Sequence, residues 1–376
     1  MNWRWVPALP PVAWLAWGLM LRQVPMPTYL DQDAALTTGV FHVHSEASHD
    51  STTAPRTLRA AAKQCAVQFV VLTDHNVQKV FEGDADEPRL LSWSELSTPH
   101  GHLIGLGSPG ALERRLRRQP DAVAQLDAIG GLPIVAHPSD LKRPWTGPWQ
   151  QVRGLEVVNV ASAARRRGGP GLLGLLPLAL AYPAAPRLAL LQLIDRDVQA
   201  LRLWDSHLQQ PLVGLCGLDA HGYVPTAAIM QTWQLGLSVS PPCRAADADL
   251  STLVRQALGA GRFFCYSALL GQRPRFRFAA VHRQLGRIDA AAELSQGEVE
   301  ALEVVAPQLS VGQMEMVVWH NGQQIRRCQS ATLRLERPPS GTYRVELWAE
   351  LPTLWGTRRQ LPVLYSNRLT LTPEEA

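Results

Sequence analysis

The sequence predicts an α/β domain built on buried parallel strands, followed by a small all-β domain. Two observations carry this reading. Between residues 36 and 270 short apolar runs alternate with helical patterns, and strands without a polar face that alternate with helices imply a parallel sheet covered on both sides. After about residue 274 the helical patterns stop, and strands that alternate apolar and polar residues follow one another between turn residues.

In chain order, the strands of the first part are "FHVHS" (41 to 45), "FVVLT" (69 to 73), "HLIGLG" (102 to 107), "LPIVAHP" (132 to 138), "GLEVVNV" (154 to 160) and "LVGLCGLDAHG" (212 to 222). Helical patterns cover 54 to 65, 122 to 131 and 249 to 261. Together they make an open sheet or a barrel over residues 36 to 272. The second part, residues 273 to 372, carries Asn321-Gly322 and Pro338-Pro339-Ser340-Gly341 between its strands. Such turns between alternating strands predict hairpins and a small immunoglobulin-like β-sandwich.

A chain of 376 residues with 46% hydrophobic content fills a core without disulfide staples. Its five cysteines stand in no C-x-x-C pair, and Cys65 and Cys216 fall inside apolar stretches as buried thiols do. The net charge is +4. The basic clusters at 113 to 118 and 165 to 167 read as solvated helix faces as readily as a nucleic-acid patch, so charge alone does not predict nucleic-acid binding.

The first 27 residues contain a run from Trp5 to Leu21 without a charge. Seventeen residues is the short end of a membrane span, and Pro7, Pro10 and Pro11 weaken its first half as helix. With no small-residue cleavage site, the run predicts an uncleaved signal anchor, with Trp3, Trp5, Trp14 and Trp17 at the interface and the remainder of the chain outside the cytoplasm. The alternative is a soluble cytoplasmic protein with a buried N-terminal helix. A second apolar stretch, 168 to 193, is broken by Pro170, Pro177, Pro183 and Pro186; it is expected to pack on the domain as a connecting element.

Six of the eleven histidines gather at expected strand ends, together with carboxylates. His42 and His44 alternate along one strand and so share a face. Asp50, His75, Glu95, His102, His137, Asp219 and His221 stand near the ends of others. In β/α folds the C-terminal ends of strands meet at one face, so this pattern predicts a multinuclear metal centre. Asp74 is a candidate acceptor for a ligating imidazole, Lys142 and Arg143 are candidate grips for an anion, and Glu156 is a pocket candidate without an assigned role. There is no G-x-S-x-G elbow, Walker loop or G-x-G-x-x-G loop.

The motifs "HVHS" with Asp50, "TDHN", "SELS", "AHP" and "LDAHG" resemble, in type and order, those of the polymerase and histidinol phosphatase (PHP) family of metal-dependent phosphoesterases. The resemblance spans roughly residues 39 to 225. It implies a distorted (β/α)7, TIM-like barrel holding two or three divalent ions: zinc, manganese or iron. It further implies that one ion takes His42, His44, Glu95 and Asp219, a second shares Glu95 and adds His102 and His137, and a third takes Asp50, His75 and His221. His42, His44, Glu95, His137 and Asp219 would then be the catalytic set. His100 competes with His102, and His49 with Asp50.

Imidazoles and carboxylates suit these metals, and a bridging carboxylate holds two ions close enough to activate a water and to stabilise a phosphoryl group in displacement. The expected function is hydrolysis of a phosphomonoester or phosphodiester. Two alternatives stay open: hydrolysis of a C–O or C–N bond on the same fold, and a non-catalytic envelope binding module with a structural metal site.

Overall fold

The computed structural model describes residues 11–83, 87–107, 116–238, 250–290 and 293–374. Residues 1–10 of the expected anchor, part of the basic cluster at 113–118, and Cys243 lie outside these.

A short helix α1 (Pro11–Arg22) precedes strand β1 (Thr37–Val43), helix α2 (Pro55–Gln64) and strand β2 (Phe69–His75). Proline at the first position of α2 has no amide hydrogen to leave unpaired, which suits a helix start. Then come β3 (Arg89–Thr98), β4 (Gly101–Leu106), α3 (Ala122–Ala128), β5 (Leu132–Val135) and β6 (Gly154–Asn159). Four helices follow: α4 (Val160–Gly168), α5 (Leu176–Ala181), α6 (Pro186–Leu191) and α7 (Val198–Asp205). Asn159 caps α4 by accepting from the Ser162 amide, and Asp197 caps α7 by accepting from Ala200. Strand β7 (Val213–Ala220) then returns to the sheet.

β1 through β7 pair in order, and β7 pairs back with β1, so seven strands close into a barrel. The closure removes both sheet edges and explains why these runs are apolar throughout: β2, β6 and β7 are buried along nearly their whole length.

The barrel is mixed, where the sequence pattern predicts all-parallel strands. β3 to β4 and β4 to β5 run antiparallel, and the other pairs run parallel. The cause is the two-residue link Pro99-His100 between β3 and β4: a parallel crossover needs about a dozen residues, so this link forces a hairpin. Beyond β7 a short helix α8 (Thr226–Met230) and strand β8 (Gln234–Leu237) precede helix α9 (Leu250–Gly259) and strand β9 (Phe263–Tyr266), and β8 pairs antiparallel with β1 and β9.

β9 also pairs with strand Arg358–Ser366, so hydrogen bonding continues from the barrel into the C-terminal strands. There Gly341–Pro352 pairs with Met314–His320 and Arg358–Ser366, while Arg277–His282, Gly286–Asp289, Val299–Val305 and Thr332–Glu336 form a separate four-stranded sheet. Asn321 and Gly322 both have positive φ, 49° and 74°, in the hairpin after Met314–His320, as a type I′ turn demands. The Pro338–Gly341 turn is no hairpin. Thr332–Glu336 pairs with Val299–Val305, and the following strand belongs to the other sheet, so this turn crosses between sheets.

Where α7 meets the C-terminal strands, arginines and tryptophans alternate. Arg368 lies over Trp204, Arg344 over Trp204 and Trp319, Arg196 over Trp319 and Trp348, and Arg327 over Trp348, at 4.6 to 5.6 Å from the ring centres. Arg344 is also paired with Asp205 at 2.7 Å and Glu346 at 2.5 Å. Cys65 and Cys216 are buried free thiols, as their apolar surroundings predict.

Candidate metal centre

One rim of the barrel gathers the histidines, and it does so on irregular backbone. The pairing of β1 shifts register on both sides at His42: between Val40 and Val43 against β2, and between Phe41 and Val43 against β7. His42 itself has φ 64°, His137 has φ 30° and Asp219 has φ 53°. Left-handed backbone at residues that carry a Cβ is uncommon and concentrates at functional sites. A bulge re-aims a side chain. His42 and His44 thus come together, ring centres 5.2 Å apart, through a bulge and not through the plain strand alternation the sequence suggests.

Four ligand atoms from three strands converge. His42 Nε2 lies 3.2 Å from Glu95 Oε2 and 3.6 Å from Asp219 Oδ1, and His44 Nε2 lies 3.4 Å and 3.6 Å from the same two oxygens. Ligand atoms bound at about 2.1 Å to one tetrahedral ion stand about 3.4 Å apart; His42, His44 and Glu95 group in this way, and Asp219 adds an oxygen beside the two imidazoles. The other oxygen of Glu95, Oε1, lies 2.7 Å from His102 Nδ1 and 3.1 Å from His137 Nε2. Glu95 therefore faces two ligand sets at once. Asp50 Oδ2 lies 3.3 Å from His75 Nε2 and 3.2 Å from His221 Nε2, and His44 stacks on His221.

The histidines and carboxylates expected from the sequence therefore meet here, with differences in grouping. His44 stands within ligand reach of the Asp50, His75 and His221 set, and His75 within reach of Glu95 and His102. His102 opens β4, an antiparallel strand whose N-terminal end shares the rim with the C-terminal ends of the parallel strands. His100 turns away and packs on Trp145, which decides between it and His102. His49 stacks on His75 but joins none of the ligand groups among the described residues.

Three imidazole nitrogens here, His44 Nε2, His75 Nδ1 and His137 Nδ1, are buried and have no hydrogen-bond partner among the described residues. A buried polar atom without a partner carries a desolvation penalty. A cation beside Glu95 would remove it for His44 Nε2 and His75 Nδ1, which lie 3.4 and 3.3 Å from Glu95 Oε2; His137 turns its other nitrogen to Glu95.

Electrostatics point the same way. Burial disfavours charge on His42, but Glu156, Glu95 and Asp219 outweigh it and raise its pKa well above the usual value. Burial likewise opposes charge on Glu95 and Asp219, yet facing imidazoles, His42 foremost, hold both carboxyls well below the usual range. His44 is pushed down to about 4 by burial, against the pull of Asp219 and Glu95. The carboxylates stay ionised and His44 stays neutral, as ligands require, while His42 and His137, raised by the same carboxylates, would have to give up a proton to a cation.

The residue that orients this set is Glu156, whose role the sequence leaves open. His42 Nδ1 donates to its Oε1 at 2.6 Å, and its Oε2 accepts from the His137 amide and from Asn159 Nδ2, both at 2.8 Å. That fixes His42 with Nε2 free for a cation. Gly217 makes room for it: a Cβ there would stand 1.7 Å from Glu156 Oε1. Asp74, expected to accept from an imidazole, instead accepts from the Ser45 amide and hydroxyl at 2.6 and 2.7 Å, holding the backbone after His44.

Arg165 is the other residue the sequence reading misses. The "RRR" run at 165–167 is not merely a solvated face. Arg165 pairs with Asp140 at 2.8 Å and Asp219 at 3.3 Å, and Arg166 pairs with Asp195 and Asp197. With Arg117, Arg118, Lys142 and Arg143, Arg165 lines a cavity of about 920 Å³ over the ligand set. Asp140 holds this wall in place, accepting from the backbone amides of Lys142 and Arg143. Arg143 also touches His102 at 3.2 Å.

No family model and no curated protein matches this chain. Among solved structures it is similar, at 13% identity, to a two-domain protein from Bacteroides vulgatus containing a predicted PHP-like metal-dependent phosphoesterase; 90% of this chain and 98% of that one are covered, with a TM-score of 0.42. A Bifidobacterium adolescentis protein assigned as a metal-dependent phosphoesterase is similar over 51% of this chain and 90% of its own, at 13% identity and a TM-score of 0.29. PsfC from Pseudomonas syringae is similar over 59% of this chain and 99% of its own, at 13% identity and a TM-score of 0.32. TM-scores below one half do not by themselves establish a common fold.

Proposed function

We propose that this chain is a metal-dependent hydrolase of the PHP type and that its substrate is a phosphoester. The observation that carries this reading is the convergence of His42 and His44 on Glu95, at 3.2 and 3.4 Å, with Asp219 3.6 Å from both imidazoles and Glu95 turned at the same time to His102 and His137. Two neighbouring ligand sets that share one carboxylate suit two divalent ions, and the Asp50, His75 and His221 set suits a third. Zinc, manganese and iron match the donors. Ions held there supply Lewis acidity, lowering the pKa of a water and offsetting charge on the reacting oxygens.

The remaining work falls to the chain. Glu156 orients His42 and the backbone at His137. Asp140 aims Arg165 into the cavity, where it stands with Lys142 and Arg143 to bind an anionic group and keep it over the ligand set. That cationic wall favours a phosphoester over a neutral C–O or C–N substrate. We read the strands after residue 272 as an immunoglobulin-like sandwich that supplies no ligand to the site; this is supported by their pairing, antiparallel except between Glu293–Ser295 and Leu369–Thr372, and by the absence of their residues from the three ligand groups among the described residues.

The test is hydrolysis of an aryl phosphate and a bis-aryl phosphate by purified protein, after chelation and after reloading with zinc, manganese or iron singly. Activity lost on chelation and restored by one of these ions is expected. No activity on either substrate with every ion bound overturns the phosphoesterase reading, and failure to bind any of the ions overturns the metal centre itself.

A further inference from the structure

Helix α1 is apolar on every side. Trp14, Gly18 and Leu21 face the body of the protein: Trp14 Nε1 donates to the Leu180 carbonyl at 3.3 Å, Gly18 lies against Ala184, and Leu21 is buried with Leu178, Ala181 and Leu188. The opposite face carries Leu15, Ala16, Leu19 and Met20, all exposed, Leu19 to 62%. A surface helix of a globular protein carries polar residues on that face. Here there are none between Ala13 and Leu21.

The surface continues into a second segment. Leu180 begins a row with Leu176, Leu173 and Leu172, each exposed, Leu173 to 75%. Trp355, 63% exposed, stacks on Trp17 from the C-terminal strands. Between α1 and the second segment runs a groove of about 260 Å³, lined by Trp14, Leu15, Leu19 and Pro183 among others. A contiguous exposed apolar surface built from sequence-distant segments marks a docking site.

Charge identifies the occupant. The segments that make this surface, residues 11–30 and 170–194, contain Arg22 and Arg187 and not one Asp or Glu. Apolar side chains flanked by tryptophan and arginine, without carboxylates, complement an anionic lipid surface. Among the described residues α1 by itself is too short for a span. Twelve residues of helix reach about 18 Å, against about 30 Å of hydrocarbon, and one face is already packed on the protein; among the described residues no helix is long and apolar enough to cross.

We propose that α1 and residues 170–180 form one surface that lies in the plane of an anionic membrane and inserts Leu15, Leu19, Met20, Leu172, Leu173 and Trp355 into its headgroup boundary. Docking of this kind is reversible and scales with the apolar area inserted and the anionic lipid present. It does not depend on the metal centre.

The test is sedimentation of the full chain with vesicles of phosphatidylcholine alone and of phosphatidylcholine mixed with phosphatidylglycerol. Binding is expected to the mixed vesicles and to be released by alkaline carbonate. The triple variant Leu15→Gln, Leu19→Gln, Leu173→Gln should partition at least ~10-fold less. The pair Leu172→Gln, Leu176→Gln, on the second segment alone, should also weaken binding, while Val80→Gln, Leu285→Gln, Ile325→Gln, also at exposed apolar positions, should not. Undiminished binding by both patch variants overturns the proposal, as does carbonate-resistant binding, which means a span. A lipid-free dimer that the patch variants split, without vesicle binding, means that a second copy covers this face, and that also overturns it.

Discussion

Two regions of this molecule bury many charges, and they settle them in opposite ways. In the ladder between α7 and the C-terminal strands, Arg344 is held by Asp205 and Glu346 and sandwiched between Trp204 and Trp319, and Glu346 also accepts from Trp348. Among the described residues the atoms left over there include Arg196 Nε, Arg368 Nε and Trp319 Nε1, N–H donors that no cation would satisfy. At the barrel rim two of the leftover atoms, His44 Nε2 and His75 Nδ1, are imidazole nitrogens facing the Glu95 carboxylate. In the ladder the charges pair with one another; at the rim, imidazoles and carboxylates are arranged as a cation would complete them. Burial of charge alone therefore does not mark a functional site. The chemistry of the unpartnered atoms does.

That contrast is sharpest where the largest effect is expected. Arg344→Met leaves Asp205 and Glu346 without their main partner in a buried setting, and breaking a buried ion pair costs about 3 to 5 kcal/mol. The denaturation midpoint should fall accordingly while bound metal per folded chain stays unchanged. Release of metal from the still-folded variant would show that the two regions are coupled and would break the comparison.

Glu95→Gln is expected to do the reverse. It removes the one carboxylate that faces both ligand sets, so bound metal should fall and phosphatase turnover should drop by at least ~10²-fold, about 2.7 kcal/mol. Glu82→Gln, on an exposed loop, should change neither metal content by elemental analysis nor rate. Full metal and full activity in Glu95→Gln would place Glu95 outside the chemistry.

A smaller loss is expected from Glu156→Gln. Every contact of the Glu156 carboxylate accepts a proton donor, so an amide must turn its NH2 toward one of them. Metal affinity, measured by competition with a chelator, should weaken by about 10- to 100-fold. Unchanged affinity would mean that His42 keeps its orientation unaided.

The mildest effect is on the pH dependence of the metal-free protein. His44, pushed down to about 4, refuses a proton that the unfolded chain accepts below about 6.5, so stability is lost as the pH falls from about 6.5 toward 4. His42 and His137 are raised; their contribution is complete below about 6.5 and is lost as the pH rises through their folded values. Metal-free stability should therefore peak near pH 6.5 and fall on both sides, and bound metal should flatten the alkaline arm because the ion replaces those protons. Denaturant midpoints across pH, with and without metal, measure this. A metal-free curve that keeps rising above the neutral range would contradict the raised imidazoles.

Much of the site's grouping was legible in the sequence because its chemistry is carried by short motifs whose side chains have few other uses at strand ends: "HVHS", "TDHN" and "LDAHG" each bring histidine to the rim, although Asp74 of "TDHN" holds the backbone at Ser45 instead of an imidazole. What stayed hidden was contact across the barrel. Glu156 lies in an apolar run and reads like any strand residue until His42 and His137 arrive beside it from other strands. Arg165 is one of three consecutive arginines, and only the turn of α4 separates it, meeting Asp219, from Arg166, which meets Asp195 and Asp197. The antiparallel β3 and β4 were in principle readable, since Pro99-His100 is too short for a crossover; an apolar strand such as "HLIGLG" looks alike in either direction.

The barrel closes where its first strand meets its last, and His42 and His44 stand on one side of that seam with Asp219 on the other. An ion held by all three would be a cross-link between segments separated by most of the barrel's sequence. The entropy of closing so long a loop grows only slowly with length but must be met in full, and an opened seam would expose two unpaired strand edges, the surfaces from which chains add to one another. Metal would then set the lifetime of the closed barrel as well as its chemistry, and scarcity of the ion would be felt first as self-association.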